Sequence, residues 1–81
     1  MKANPTIEID ARRLLCPMPV IKAQQAAKHL NHGDRMKILA TDPGAEIDLP
    51  TWCRINGHTL VELNLINEEI HVLIDIVKKT P

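Results

Sequence analysis

Aromatic residues are almost absent from this sequence of 81 residues, which has no Phe, no Tyr and a single Trp, Trp52. The aliphatic residues Ile, Leu, Val and Ala must therefore fill the core, which leaves little room for a deep apolar cofactor pocket. Small sandwiches that bind RNA usually stack bases on aromatic side chains of a sheet, and those side chains are missing here. Ten Lys and Arg balance ten Asp and Glu, so no net charge favours nucleic acid or a membrane surface.

Long apolar runs are missing as well. The first residues show no apolar run before a cleavage site, and no apolar stretch is long enough to span a bilayer. We therefore expect a cytoplasmic protein, whose thiols stay reduced. Cys16 and Cys53 are too few for a disulfide scaffold and lack the clustered spacing of a zinc site.

The length predicts a single domain, 1–81. Alternation of polar and apolar residues predicts strands at 6–11 and 36–41. Between them, helical spacing of apolar residues predicts a helix from about Pro17 to His32, ended by Gly33. The apolar residues with this spacing are Val20, Ala23, Ala27 and Leu30. Two β-rich runs, 58–67 and 69–78, predict a terminal hairpin.

The segment 45–56 gives mixed signals. One helical face is indicated by Ala45, Leu49, Trp52 and Cys53, but Pro50 interrupts it. An extended first turn, or a short helix that resumes near Pro50, would satisfy both facts, and Gly57 would end it. The element order β-α-β-α-β-β predicts an α+β fold. This fold is a two-layer α/β sandwich in which two helices lie on one face of a small mixed four-stranded sheet.

Cys16 is the candidate reactive group because it lies at, or one residue from, the N-cap of the first predicted helix. Free amides and the helix dipole stabilise an anion there, so we expect a lowered thiol pKa. Pro17 and Pro19 would stiffen the first turn. Positive charge could assist from the nearby basic residues Arg12, Arg13 and Lys22. The alternative is that Cys16 is a small buried apolar residue.

A catalytic base for Cys16 would be needed for proteolysis or acyl transfer. The candidates are His29, His32, His58 and His71, which we interpret as solvated surface histidines. His29 and His32 lie at the far end of the first predicted helix, about 20 Å from Cys16 at helical rise. An isolated thiolate suits sulfur exchange, which needs no hydrolytic apparatus.

Five short segments occur in an order and spacing that are informative. They are Ile9-Asp10-Ala11-Arg12, Cys16-Pro17-Met18-Pro19, Thr41-Asp42-Pro43-Gly44-Ala45, Asp48-Leu49-Pro50-Thr51-Trp52-Cys53 and Gly57-His58. Over essentially its whole length the chain thus resembles the TusA/SirA family of sulfur-carrier proteins. The resemblance implies the same β-α-β-α-β-β sandwich and a sulfurtransferase that carries sulfane sulfur on Cys16 as a persulfide, without a metal or organic cofactor.

The resemblance also implies protein partners. Donors would be cysteine desulfurases or rhodanese-type proteins. Acceptors would be DsrE-like or other relay proteins, leading to tRNA 2-thiouridine synthesis or to sulfur oxidation. Direct contact with nucleic acid or membrane is not expected, and nothing in the pattern requires more than a monomer.

The chain departs from the family at Arg13, where glycine is common; we take this to argue against a positive φ there. Met18 either packs on the sheet or offers an adaptable apolar contact to partners. Cys53 is interpreted as buried and inert, with a resolving cysteine for Cys16 as the alternative.

Asp42 is interpreted as a turn residue or cap, and the alternative is that Asp42 and Asp48 form a carboxylate pair for acid–base work. The resemblance makes Asp42, Asp48 and Arg54 candidates for shaping the surface around the sulfur. Two other functions stay open: a non-catalytic regulatory or RNA-binding module, and a thiol–disulfide redox protein that uses Cys16 and Cys53.

Overall fold

The structure is a computed structural model that describes residues 6–78. Its elements are β1 (Thr6–Ala11), α1 (Met18–Ala27), β2 (Arg35–Ala40), α2 (Ala45–Asn56), β3 (Thr59–Ile66) and β4 (Glu69–Asp75). The sheet has the order β1-β2-β4-β3; β1 and β2 are parallel, and the other neighbours are antiparallel. The predicted element order and mixed four-stranded sheet are confirmed.

The core lies on the face of the sheet that both helices cover. In β4, Ile70, Val72 and Ile74 are buried in alternation with half-buried residues on the open face. From the helices, Ala23 of α1 and Leu49 of α2 join the same buried cluster. Aliphatic side chains supply nearly all of it, as the shortage of aromatic residues requires.

The first helix is shorter than predicted. It ends at Ala27 rather than near His32, because the following amides bond three residues back: the N–H of Leu30 donates to the carbonyl of Ala27 at 3.2 Å. This tighter turn still buries Leu30. Gly33, which has φ 94°, does not cap the first helix as predicted. Its N–H donates instead to the carbonyl of Ile76, beyond the end of β4, at 2.8 Å.

The second helix is continuous, so the predicted interruption at Pro50 is wrong. Pro50 has no N–H for the carbonyl of Glu46, but Glu46 is an exposed residue and water can satisfy that oxygen. The helix ends at Gly57, as predicted. Gly57 has φ 79°, and the N–H of His58 donates to the carbonyl of Cys53 at 2.9 Å, which closes a Schellman motif.

The remaining strands follow the predicted pattern with small shifts. β2 begins and ends one residue earlier than predicted, and β3 and β4 are shorter than the predicted runs 58–67 and 69–78. The predicted hairpin is confirmed. Its two-residue loop consists of Asn67 (φ 49°) and Glu68 (φ 66°), the left-handed pair that a type I′ turn requires.

No helix within residues 6–78 is long and apolar enough to cross a membrane. The expectation that the chain does not start with a signal peptide concerns in part residues 1–5, which lie outside the described range.

Replacing Gly57 by Ala tests the cap of α2. We expect Gly57→Ala to lower the free energy of unfolding by about 1 kcal/mol, because a side chain disfavours the left-handed conformation. A Cβ at this position would meet no atom within 4 Å, so a clash does not contribute. Thermal unfolding should show a Tm lower by roughly 4–8 °C. Gly57→Asn should lose less, since Asn tolerates this conformation; equal losses for Ala and Asn would contradict the explanation.

Candidate active site around Cys16

Cys16 lies in the loop between β1 and α1, one residue before the N-cap, Pro17. Its side chain is exposed, so the alternative of a buried apolar cysteine is wrong. Pro19, in the first turn of α1, is buried and fixes the start of the helix against the core. Met18 remains 41% exposed and is not part of the core cluster, which favours its interpretation as a surface contact.

A second loop meets the Cys16 loop at the same edge of the sheet. Because β1 and β2 are parallel, with Ala11 paired to Ala40, the segments that follow them leave the sheet side by side. The N–H of Arg13 donates to Oγ1 of Thr41 at 2.8 Å and joins the two loops. The N-cap of α2, Gly44, then lies so close that a Cβ on it would be 3.6 Å from the Cβ of Cys16.

The direct partner of the thiol is a carboxylate. Sγ of Cys16 donates to Oδ2 of Asp48 at 2.7 Å, and Asp48 lies one turn into α2. This hydrogen bond, together with loss of hydration and the negative charges of Asp48 and Asp42, raises the pKa of the Cys16 thiol. The expected lowering of this pKa is therefore wrong.

The helix terminus does not offset this effect because few of its amides are free. Pro17 and Pro19 have no N–H, and the N–H of Met18 donates to the carbonyl of Leu15 at 2.8 Å. At the start of α2, the N–H groups of Ala45 and Glu46 are likewise bonded, to the carbonyls of Asp42 and Pro43. The prolines that stiffen the first turn thus remove the donors that would stabilise a thiolate.

Two of the three basic residues named from the sequence, Arg12 and Lys22, have other partners. Arg12 pairs with Asp10 at 2.9 Å and with Glu69 at 3.4 Å, and its hydrogen bonds lower the pKa of Asp10 to about 2. Nζ of Lys22 donates to the carbonyl of Asp10 at 3.3 Å. The charged groups that shift the Cys16 pKa are both carboxylates.

Arg13 has φ 67° and lies in the left-handed region. The interpretation that a non-glycine residue here excludes a positive φ is wrong. The hydrogen bond between the Arg13 amide and Thr41 holds the residue in this conformation.

Asp42 has the turn role that was preferred for it. Its carbonyl accepts the N–H of Ala45 at 3.0 Å, as expected of a turn that starts a helix. Its carboxylate also acts on the Cys16 thiol beside Asp48. The sequence indicated Asp48 as one half of a possible carboxylate pair, and the resemblance made it a candidate for shaping the surface around the sulfur. Neither indicated its hydrogen bond to the Cys16 thiol, because that bond depends on how α2 lies against the Cys16 loop. Arg54 is in the last turn of α2, six residues or about 9 Å further along the axis.

Cys53 is 2% exposed, and burial raises the pKa of its thiol to about 11. It lies on the sheet-facing side of α2, as predicted, and both cysteines are free thiols.

The prediction of solvated surface histidines is wrong for His58. Its Nδ1 accepts the N–H of Val77 at 3.0 Å, and its ring lies 4.9 Å from the ring of Trp52. His71, also half-buried, has its Nε2 3.2 Å from a carboxylate oxygen of Glu69. His32 is exposed, but its Nδ1 accepts the N–H of Lys78. None of these recorded contacts, all within residues 6–78, joins a histidine to Cys16.

Comparisons with known proteins identify the family of this chain. Residues 7–76 match the family described as "Sulfurtransferase TusA". "Putative sulfur carrier protein YrkI" of Bacillus subtilis is 41% identical over 54 residues, which are 67% of this chain and 72% of that protein. "Putative sulfur carrier protein YrkF" of the same organism is 45% identical over 58 residues, 72% of this chain, but the match spans only 30% of YrkF.

A solved structure shows the same fold. The SirA-like protein of Desulfitobacterium hafniense superimposes with a TM-score of 0.79 at 28% identity, over 89% of this chain and 99% of that one. The family match covers both strands of the parallel pair, both helices and the Cys16 loop. This chain belongs to the sulfurtransferase TusA family.

Proposed function

We propose that this chain, as one domain, accepts sulfane sulfur on Cys16 as a persulfide and transfers it to an acceptor protein. The observation that carries the proposal is the exposure of Cys16 where two loops meet, within the residues that match the sulfurtransferase TusA family. The other thiol, Cys53, is buried. An exposed thiol on a rigid turn can be reached by a cysteine of a second protein.

The transfer is a substitution at sulfur. The Cys16 thiolate attacks the outer sulfur of a donor persulfide, a new S–S bond forms at Sγ, and the S–S bond of the donor breaks. The electron pair of the broken bond stays on the donor sulfur, which takes up the proton that Cys16 gave to solvent. Cys16–SH and R–S–SH thus become Cys16–S–SH and R–SH, and no external oxidant or reductant is needed.

This chain provides the carrier thiol, so partner proteins must supply the sulfur and accept it. We propose a cysteine desulfurase or a rhodanese-type protein as donor, and a DsrE-like or other relay protein as acceptor. The pathway would be tRNA 2-thiouridine synthesis or sulfur oxidation. In this proposal the protein acts in the cytoplasm, as a monomer that docks with each partner in turn.

The two alternative functions receive less support. RNA stacking would require an exposed aromatic side chain, but Trp52 is 6% exposed and donates its indole N–H to Gln24 at 3.2 Å. A redox pair would require a second accessible thiol, but Cys53 is enclosed by the core.

Sulfur loading tests the proposal directly. The chain is incubated with a cysteine desulfurase, pyridoxal phosphate and cysteine, and its intact mass is then measured. We expect a gain of one sulfur atom that a reductant removes. Cys16→Ser should abolish the gain, because the accepting sulfur is lost.

Cys53→Ala is the matched control, since it removes the other thiol without burying a hydroxyl group. This variant should load like the unchanged chain. Loading that persists in Cys16→Ser and disappears in Cys53→Ala would overturn the assignment of the carrier thiol.

Alkylation distinguishes the two thiols in the native protein. Iodoacetamide at mildly alkaline pH should modify Cys16 and leave Cys53 unmodified, because Cys53 is buried and burial raises its pKa to about 11. In denaturant both thiols should react. Peptide mass mapping locates the label, and native labelling of Cys53 at a similar rate would contradict its burial and reopen the redox alternative.

A further inference from the structure

The charges that face the Cys16 thiol come from the α2 side of the site. Asp48 holds the hydrogen bond at 2.7 Å, and Oδ2 of Asp42 would be only 2.9 Å from a Cβ on Gly44, next to Cys16. Glu46, in the same first turn of α2, is exposed and does not contribute to the shift of the Cys16 pKa.

The β1 and α1 side does not balance these carboxylates. There, Arg12 is engaged with Asp10 and Glu69, and Lys22 with the carbonyl of Asp10. Arg13 contributes its backbone N–H to Thr41 rather than to the sulfur. The charged groups that act on the Cys16 thiol are therefore the carboxylates of Asp48 and Asp42, and both oppose its ionisation.

We infer that Asp48 is a positioning residue that keeps the Cys16 thiol neutral and oriented in the free protein and favours donors with a cationic group beside their reactive sulfur. The inference rests on the proposed function. Sulfur exchange needs the thiolate, and ionisation next to Asp48 brings two negative charges together. A cation from the partner neutralises the carboxylate, so Cys16 ionises where the correct donor is bound. Neutral and anionic sulfur compounds lack this effect and react slowly.

Thiol–disulfide exchange with small charged disulfides measures this effect as the change that a substitution of Asp48 causes, because the two reagents also differ in the pKa of their leaving thiols. Cys16 loses its proton to solvent and attacks one sulfur of the disulfide; the S–S bond breaks, and the other half leaves as a thiolate that takes a proton from solvent. Cystamine carries an ammonium group on each half, whereas 3,3′-dithiodipropionate carries a carboxylate on each half. Their rates with the full chain are compared at low salt, across neutral and alkaline pH.

We expect cystamine to react about tenfold faster or more, with the difference shrinking at high salt. In Asp48→Asn this preference should fall several-fold, the anionic reagent should react faster, and the inflection of the pH–rate profile should move to lower pH. The shift has this sign because Asp48 raises the pKa of the Cys16 thiol.

Glu46→Gln is the matched control, because it removes the same charge from the same helical turn without touching the thiol. It should leave the preference within about twofold. An unchanged preference and inflection in Asp48→Asn, or an equal change in Glu46→Gln, would overturn the inference. Far-UV circular dichroism checks the fold of each variant, and Asp48→Ser repeats the test with a smaller side chain.

This experiment is independent of sulfur loading. If the chain fails to accept sulfur from a desulfurase but shows the Asp48-dependent preference, the proposed function is wrong and the role of Asp48 stands. If it loads sulfur on Cys16 without the preference, the carrier function stands and the role of Asp48 is wrong.

Discussion

The parallel pairing of β1 and β2 is the constraint on which the site depends. Parallel strands require a crossover, which α1 supplies, and their carboxyl ends meet at one edge, where Ala11 is paired with Ala40. The loops that carry Cys16 and Gly44 leave from this edge, and each leads into a helix. An antiparallel pairing would place the two loops at opposite ends of the strands. Residues 32 positions apart, Cys16 and Asp48, are in contact because of this register.

The pKa of the Cys16 thiol depends on two opposing influences, the helix N-terminus and the nearby carboxylates. The local sequence shows only the first of them. A helix N-terminus favours an anion, and Cys16 is at such a terminus. The two prolines of its motif remove amide donors, and the neighbouring helix contributes a carboxylate at hydrogen-bond distance. The direct hydrogen bond to Asp48 is the largest of the causes that raise the pKa of the Cys16 thiol. Cys16 is accessible without being activated.

Sequence patterns predicted the fold better than the site, for physical reasons. Alternation placed β1 correctly because Ile9 and Ala11 of this strand pack on the core. Gly57 marked the end of α2 because the cap requires a left-handed residue. The prediction of an interruption at Pro50 was wrong because Pro50 removes only one helical hydrogen bond. Losing that bond costs less free energy than the packing of Leu49 and Trp52 on the sheet contributes. The φ of Arg13 depends on a bond to Thr41 in another loop. The Cys16 pKa likewise depends on a tertiary contact, which no local pattern contains.

Gly44 shows how closely the site is fitted around the sulfur. Its φ of −61° is open to any residue, so its role is not to permit an unusual backbone conformation. Space is the reason: a Cβ there would be 2.9 Å from Oδ2 of Asp42, 3.6 Å from the Cβ of Cys16 and 3.7 Å from Oδ2 of Asp48. A methyl group would displace the Asp42 carboxylate and touch the other two residues. Because Gly44 has no side chain, two acidic residues of one segment can both face a thiol of another.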